Sequence, residues 1–216
     1  QPWLQLSCRH AATSSSVQVK RWKNGAVVAH LTEDLREDLL ARWSESHRRH
    51  HTVNHLHEML DAIGVLADDG IQFDREAVEL AAWFHDAIYE IGRDDNEDRS
   101  AELARQLLAS SPVRDEVARL VLLTKTRTAA ADDVNGAVLS DADLSVLGAN
   151  SRRYGQYARA IREEYAAVPD DAFKPARAQL LTALLDGPIF HTESGRNRWE
   201  QQARQNLAEE IRLLTA

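Results

Sequence analysis

The sequence predicts an all-α fold built as a single helical domain. Gly (9) and Pro (5) are scarce in the 216 residues, and the abundance of Ala, Leu, Glu and Arg favours helix. Apolar residues recur every three or four positions along most of the chain, with no alternation long enough to indicate a strand. The length suits one domain, and the 44% hydrophobic content is sufficient for its core.

The first 30 residues differ from the rest of the chain. They are polar and Ser-rich without a helical period, so we expect a poorly ordered extension outside a helical domain of residues 31–216. The chain begins with Gln rather than Met, which suggests a fragment or a processed form. Its one cysteine, Cys8, excludes an internal disulfide and suits the expected cytoplasmic location.

Charge and hydropathy exclude two classes of partner. A net charge of −8 argues against general nucleic-acid binding, which requires a basic surface. No apolar run approaches the roughly 20 residues that span a bilayer, and the N-terminal segment has no apolar core typical of a secretory signal. We therefore expect no general nucleic-acid binding and no membrane partner, although the net charge leaves room for a local basic patch.

Three helices are predicted in the first part of the domain. Thr32 caps the first, which runs to about Ser46, and the second covers residues 51–67. Asp74 caps the third, which carries an apolar run and is expected to end near Gly92.

Three further helices are predicted in the middle of the chain. They are expected at 97–109, from the Ser111-Pro112 start signal to about 124–127, and at 140–147 before Gly148, with a loop at 129–136. Beyond Ser151, long amphipathic helices indicate packing and a possible homodimer surface.

A His-Asp pair, His85-Asp86, lies in the apolar run of residues 81–90. Burying an imidazole with a carboxylate costs several kcal/mol unless a bound metal or an internal hydrogen bond compensates. Upstream, His51 and His55 stand four apart and share a helix face. This spacing suits metal ligands but is also common by chance. A solvated turn is the alternative for His47 and Arg48, and we expect His57 at the surface.

Five motifs give the sequence a family resemblance. They are RxxHTxxHLxxML (48–60), AAWFHDAxY (81–89), DNExRSAELA (95–104), TKT (124–126) and DADLxxLG (141–148). Together they resemble the HD-domain metal-dependent phosphohydrolase superfamily, in particular a group of small stand-alone bacterial members, over about residues 35–214. The resemblance implies an HD-type helical bundle with additional C-terminal helices. The metal ligands it implies are His55, His85, Asp86 and Asp143.

Asp141 and Asp143 compete for the last ligand position. Two residues apart on a helix, they diverge by about 200° and are not expected to reach the same ion. Asp143 shares a face with apolar residues and precedes Leu144, as the ligand of the resembling family does. We therefore expect Asp143 to bind metal and Asp141 to cap the start of its helix, with the reverse assignment as the alternative.

Two imidazoles and two carboxylates suit one divalent transition metal, Mn, Fe, Co, Ni or Zn. Such an ion acidifies bound water near neutral pH. A second ion is not expected, because there is no histidine between His85 and His191 and Arg127 would repel another cation.

Hydrolysis of a phosphate ester also needs cations for the phosphoryl oxygens and a carboxylate for proton transfer. HD proteins often carry an acidic residue three or four positions after the pair; here these positions hold Tyr89 and Glu90, so the choice between Glu90 and Glu97 stays open. The catalytic candidates are Glu90, Glu97 and Lys125, and the substrate-binding candidates are Arg49, His51, Arg99 and Arg127.

The expected function is metal-dependent hydrolysis of a nucleotide or a similar phosphorylated small molecule. One alternative is a sensor module that binds metal and nucleotide with little turnover. The other is a structural metal site in a helical interaction protein, which would be closed and dry.

Overall fold

The computed structural model describes residues 31–216, so the predicted N-terminal extension lies outside the described residues. The described part is all-helical without strands, which confirms the predicted fold class. Its helices are α1 Glu33–Trp43, α2 Val53–Asp68, α3 Arg75–Phe84, α4 Asn96–Leu107, α5 Arg114–Thr126, α6 Val134–Leu144, α7 Ser151–Glu164, α8 Asp170–Leu185, α9 Glu193–Gly195 and α10 Gln201–Leu214. A 3-10 turn, Ser145–Gly148, follows α6, and a π-helical turn, Arg196–Glu200, joins α9 to α10.

Two of the predicted caps form as expected. The Thr32 hydroxyl accepts a hydrogen bond from the backbone N–H of Leu35 at 3.3 Å. The Asp74 carboxylate accepts one from the N–H of Ala77 at 3.0 Å. Each side chain satisfies one of the free donors of a helix start, so local sequence determines where α1 and α3 begin.

Two helix boundaries differ from the prediction by more than one helical turn. The third helix ends at Phe84 rather than near Gly92, and His85 is its C-cap. The sixth begins at Val134 rather than near Ser140, because Asp133 caps it through the N–H of Gly136 at 2.9 Å. The segment predicted as a loop thus contains the first turn of α6.

The buried apolar side chains form two clusters. The first joins helices α1 to α6 around residues such as Trp43, Ile63 and Phe84. The second joins the end of α6 to the C-terminal helices around Phe190 and Leu207. The half-buried Trp199 packs against both clusters.

The contact between the 3-10 turn and the C-terminal helices is close at Gly148. A Cβ atom on Gly148 would lie 2.8 Å from the Cα and carbonyl oxygen of Trp199. Only a residue without a side chain fits this approach. Within residues 31–216, no helix combines the length and hydropathy that a membrane crossing requires.

Candidate metal centre

Three helices bring four chemically related side chains together. His55 lies in the first turn of α2, His85 and Asp86 directly follow α3, and Asp143 lies in the last turn of α6. The ligand atoms of His55, His85 and Asp86 all lie within 4.8 Å of one another. Asp143 Oδ1 lies 3.2 Å from His55 Nε2 and 3.8 Å from His85 Nε2. We call these four residues the His-Asp cluster.

The imidazoles of the cluster are closed off, whereas its carboxylates keep an edge to solvent. The side chains of His55 and His85 are 3% and 2% exposed, and those of Asp86 and Asp143 are 15% and 10% exposed. The cluster can therefore be reached from the carboxylate side.

His55 Nε2 and His85 Nε2 are buried without a hydrogen-bond partner among the described residues. His85 Nε2 lies 3.1 Å from Asp86 Oδ2, but the contact lacks hydrogen-bond geometry. The imidazole and the carboxylate of the His-Asp pair thus lie side by side without a well-formed hydrogen bond between them. The other ring nitrogen of His85, Nδ1, lies 2.9 Å from the carbonyl oxygen of Ala82 and is the donor to it, which leaves Nε2 as the ligand atom. The group of His55, His85 and Asp86 can bind a metal ion.

Burial and charge act in opposite directions on the pKa values of the cluster. Burial lowers the pKa of His85, but the carboxylates of Asp86 and Asp143 outweigh it and raise that pKa. Burial raises the pKa of Asp86, yet His85, and after it His51 and His55, lower it overall. The pKa of Asp143 is held well below its ordinary value, against burial, by His55 and the guanidinium of Arg127. Both carboxylates are therefore ionised, as metal ligands must be.

Trp43 of α1 forms one wall of the cluster. Its indole Nε1 donates to the carbonyl oxygen of Trp83 at 3.0 Å, and its ring centroid lies 5.3 Å from that of His85 and 6.2 Å from that of His55. The apolar ring limits how the imidazoles turn.

The alternative of a solvated turn is wrong for Arg48. Arg48 is buried, with 3% of its surface exposed. Its guanidinium donates to the carbonyl oxygens of Asp86 at 2.8 Å and His51 at 3.2 Å. It also lies over the ring of Tyr89, 5.4 Å from the centroid. Arg48 connects the segment before α2 to the His-Asp turn, and sequence reasoning missed this contact because Asp86 is 38 residues away.

His51 precedes α2 rather than lying on it, because the helix begins two residues later than predicted. A turn nevertheless brings its ring near that of His55, with the centroids 5.9 Å apart. His51 Nδ1 lies 2.7 Å from Oε2 of the buried Glu164. Glu164, at the end of α7, has no nearby sequence signal to mark it.

Arg127 lies against the cluster, with its Nε 3.4 Å from Asp143 Oδ2. It is the one non-glycine residue in the described chain with a positive φ, 53°. Its carbonyl oxygen lies 3.0 Å from His191 Nε2. The left-handed conformation of Arg127 ends α5, and its backbone N–H donates to the carbonyl oxygen of Leu123 at 2.8 Å.

Three of the other predicted site residues, Glu90, Arg99 and Lys125, lie in salt bridges outside the cluster. Arg99 contacts Glu90 at 2.6 Å, and Lys125 contacts Asp98 at 2.7 Å. The side chain of Arg49 donates to the carbonyl oxygens of Ser46 and Arg48.

Within the described residues, no hydrogen bond or ion pair joins Glu90 or Lys125 to the cluster. Glu97 is half-buried in the first turn of α4. The choice between Glu90 and Glu97 as the proton-transferring carboxylate stays a prediction.

Asp141 does not cap the start of its helix, because α6 begins at Val134 and places Asp141 in its second half. Its buried carboxylate instead accepts hydrogen bonds from the N–H of His191 at 2.6 Å and from the N–H and hydroxyl of Thr192 at 2.8 and 2.7 Å. It thereby braces the segment before α9, and burial raises its pKa.

Comparisons with known proteins add no relative to this description. Neither family models, nor curated proteins, nor solved structures gave a significant match to the chain.

Proposed function

We propose that the protein is a metal-dependent phosphohydrolase that acts on a nucleotide or a similar phosphorylated small molecule. The observation that carries the proposal is the pair of buried imidazole nitrogens, His55 Nε2 and His85 Nε2, that face two carboxylates without a hydrogen-bond partner in the described chain. A buried polar atom left unpaired costs about 1–3 kcal/mol. A cation between the imidazoles and carboxylates removes this cost.

The donor set indicates which metal the cluster would hold. His55, His85, Asp86 and Asp143 supply two nitrogen and two oxygen donors, a combination that suits Mn, Fe, Co, Ni or Zn better than Ca or Mg. When bound, such an ion supplies an acidified water and polarises a phosphoryl oxygen.

Arg127 supports both a single ion and an anionic substrate. Its guanidinium Nε lies 3.4 Å from Asp143 Oδ2, so its positive charge would repel a second cation at this carboxylate. Its side chain is 42% exposed, so it can also donate to an incoming phosphoryl oxygen. One residue thus disfavours a second metal and favours a phosphate group beside the first.

A sensor with little turnover is the second candidate, and the position of Glu90 favours it. This carboxylate is 51% exposed and paired with Arg99 rather than with the cluster. An HD-type site that lacks a proton-transferring carboxylate would bind metal and ligand but hydrolyse slowly.

The first test is the metal content and turnover of the purified protein. Elemental analysis should find about one transition metal per chain, and His85→Ala should remove it while the far-UV circular dichroism stays helical. His47→Ala is the matched control, because His47 contacts the carbonyl oxygen of Tyr89 outside the cluster. Equal metal content in wild type and His85→Ala would contradict the metal site.

A panel of phosphate monoesters and nucleotides with Mn²⁺ or Co²⁺ then separates the two candidates. Turnover that is lost in His85→Ala supports the enzyme. Tight nucleotide binding without turnover supports the sensor.

A further inference from the structure

Glu164 collects five donors from the segment before α2 and from Tyr89. Its Oε1 accepts from three consecutive backbone N–H groups, those of Arg49 at 2.7 Å, His50 at 2.8 Å and His51 at 3.0 Å. Its Oε2 lies 2.7 Å from His51 Nδ1 and 3.2 Å from the Tyr89 hydroxyl. A single carboxylate thus fixes both the backbone and the ring of His51.

The charge of Glu164 determines which ring nitrogen of His51 carries hydrogen. Burial raises the pKa of Glu164, but the contact with His51 outweighs it and lowers that pKa to about 2. An ionised carboxylate only accepts hydrogen bonds, so Nδ1 of His51 is the donor. In the neutral ring the lone pair is therefore on Nε2.

The His51 ring is held between Tyr89 and His55. It stacks on Tyr89 with the centroids 4.2 Å apart and meets the His55 ring edge-on at 5.9 Å. Its side chain is 19% exposed. The ring is therefore fixed in orientation, adjacent to the His-Asp cluster, and partly open to solvent.

We propose that His51 Nε2 accepts a hydrogen bond from the water that attacks phosphorus, and that Glu164 is the positioning residue that holds His51 in this tautomer. The inference rests on the proposed phosphohydrolase function and adds a residue pair to it. His51 orients the water from outside the ligand set, and Glu164 acts only through His51. This is the arrangement by which a carboxylate fixes the tautomer of a histidine in hydrolytic sites.

Substitution of His51 by an amide distinguishes the role of its Nε2 from that of its Nδ1. His51→Asn keeps an amide donor near the position of Nδ1, and so the contact with Glu164, but has no atom at Nε2. We expect kcat to fall at least about tenfold, as for one lost transition-state hydrogen bond, with KM and metal content nearly unchanged. If His51 only bridges the helices, His51→Asn keeps the wild-type kcat.

Glu164→Gln tests the positioning role. Its side-chain oxygen still accepts from the backbone N–H groups, whereas its amide donates to His51 Nδ1 and imposes the opposite tautomer. We expect a similar fall in kcat, and the double variant Glu164→Gln/His51→Asn should be no worse than His51→Asn alone. Additive losses would show that Glu164 acts independently of His51.

Nitrogen-15 NMR of the histidine rings measures the tautomer of His51 directly and does not depend on enzymatic activity. Wild-type His51 should show the Nδ1–H form at a pH where the ring is neutral, and Glu164→Gln should convert it to Nε2–H. Glu210→Gln is the matched control, because Glu210 is another half-buried carboxylate, paired with Arg177 at 2.9 Å on the C-terminal helices. It should leave the His51 spectrum unchanged.

These experiments distinguish failure of the His51 inference from failure of the proposed phosphohydrolase function. An Nε2–H tautomer in the wild type, or wild-type kcat in His51→Asn, overturns the inference while hydrolysis itself stands. Metal-loaded wild type that shows the Nδ1–H tautomer but hydrolyses no phosphate ester contradicts the proposed function, and the water contact falls with it.

Discussion

His85 shows how one hydrogen bond sets the chemistry of a single residue. Its Nδ1 lies against the carbonyl oxygen of Ala82, so Nε2 faces the carboxylates of Asp86 and Asp143. The lone pair on Nε2 and the two carboxylates repel one another unless a positive charge lies between them. In the metal-free protein a proton can supply that charge, consistent with the raised pKa of His85. A metal ion would replace the proton.

The two aspartates of α6 should respond differently to removal of charge. Asp143→Asn should abolish metal binding and hydrolysis, because the neutral amide replaces a carboxylate 3.2 Å from His55 Nε2. Asp141→Asn should keep the metal but lose about 1–3 kcal/mol of unfolding free energy, because an amide cannot accept all the hydrogen bonds from His191 and Thr192.

Metal titration and urea denaturation of both variants check this prediction. The variants control for each other, since they make the same chemical change two residues apart. Lost metal affinity in Asp141→Asn together with retained affinity in Asp143→Asn would reverse the assignment.

Local sequence predicted the residues of the cluster better than the residues that support it. His55, the His85-Asp86 pair and Asp143 stand in motifs, and the structure places them together. Glu164 could not be predicted, because Arg49, His50 and His51, to which it hydrogen-bonds, are 113 to 115 residues away. The sequence around it also looks like an ordinary charged helix end.

At the scale of the helix, caps were more predictable than the ends of apolar runs. The start of α3 follows from Asp74, whereas its end at Phe84 does not follow from the apolar residues that continue beyond it. Tertiary contacts end the helix: the N–H of Ile88 donates to the hydroxyl of Ser100 at 3.0 Å, and the N–H of Glu90 donates to the side-chain oxygen of Asn96 at 3.0 Å. These bonds draw the chain away from α3 toward α4.

Alanine substitutions at two glycines measure how closely the 3-10 turn packs against the π-helical turn. Gly148→Ala should destabilise the protein by about 1–3 kcal/mol, because its Cβ would overlap the backbone of Trp199. Gly155→Ala should stabilise it by about 0.5–1 kcal/mol, because the position is inside α7 and the nearest atom to its Cβ is 3.7 Å away, at the end of the Arg159 side chain.

Chemical denaturation of the two alanine variants measures both effects in one experiment. Because the substitution is the same, the difference between them isolates the contact with Trp199. Equal stabilities would show that the turn and the π-helical segment separate at little cost.

At the scale of the whole molecule, the cluster lies where the two apolar cores meet. Asp143 is in the last turn of α6, the helix that passes from the first core to the second. The all-α class was predictable from composition and from the helical periodicity of apolar residues. The position of the cluster between the two cores was not, because this periodicity indicates which face of a helix is apolar but not which other helix packs against that face.

Metal should stabilise the fold increasingly as pH rises. The raised pKa of His85 means that its protonated form stabilises the metal-free protein at and below the ordinary histidine pKa of about 6.5, and that this contribution is lost as pH rises through the raised value. Metal binding displaces the same proton, so affinity also increases with pH. Both effects widen the difference between metal-loaded and metal-free stability.

Thermal unfolding with and without Mn²⁺ at several pH values above 6.5 measures that difference. His55→Gln, which lacks one ligand, should show little metal-dependent shift at any pH. A shift in the wild type that stays constant or shrinks with rising pH would contradict the linkage to His85.

Glu164 is synthesised long after residues 49–51, to which it hydrogen-bonds, and this determines the order in which the parts of the site become available. During synthesis, a chain that has emerged only to residue 150 already holds His55, His85, Asp86 and Asp143, but not the carboxylate that fixes His51. Closing a loop of more than 110 residues is also slow compared with forming a local helix. Under the proposed function, all four residues of the metal site are therefore synthesised before the carboxylate that would position the attacking water.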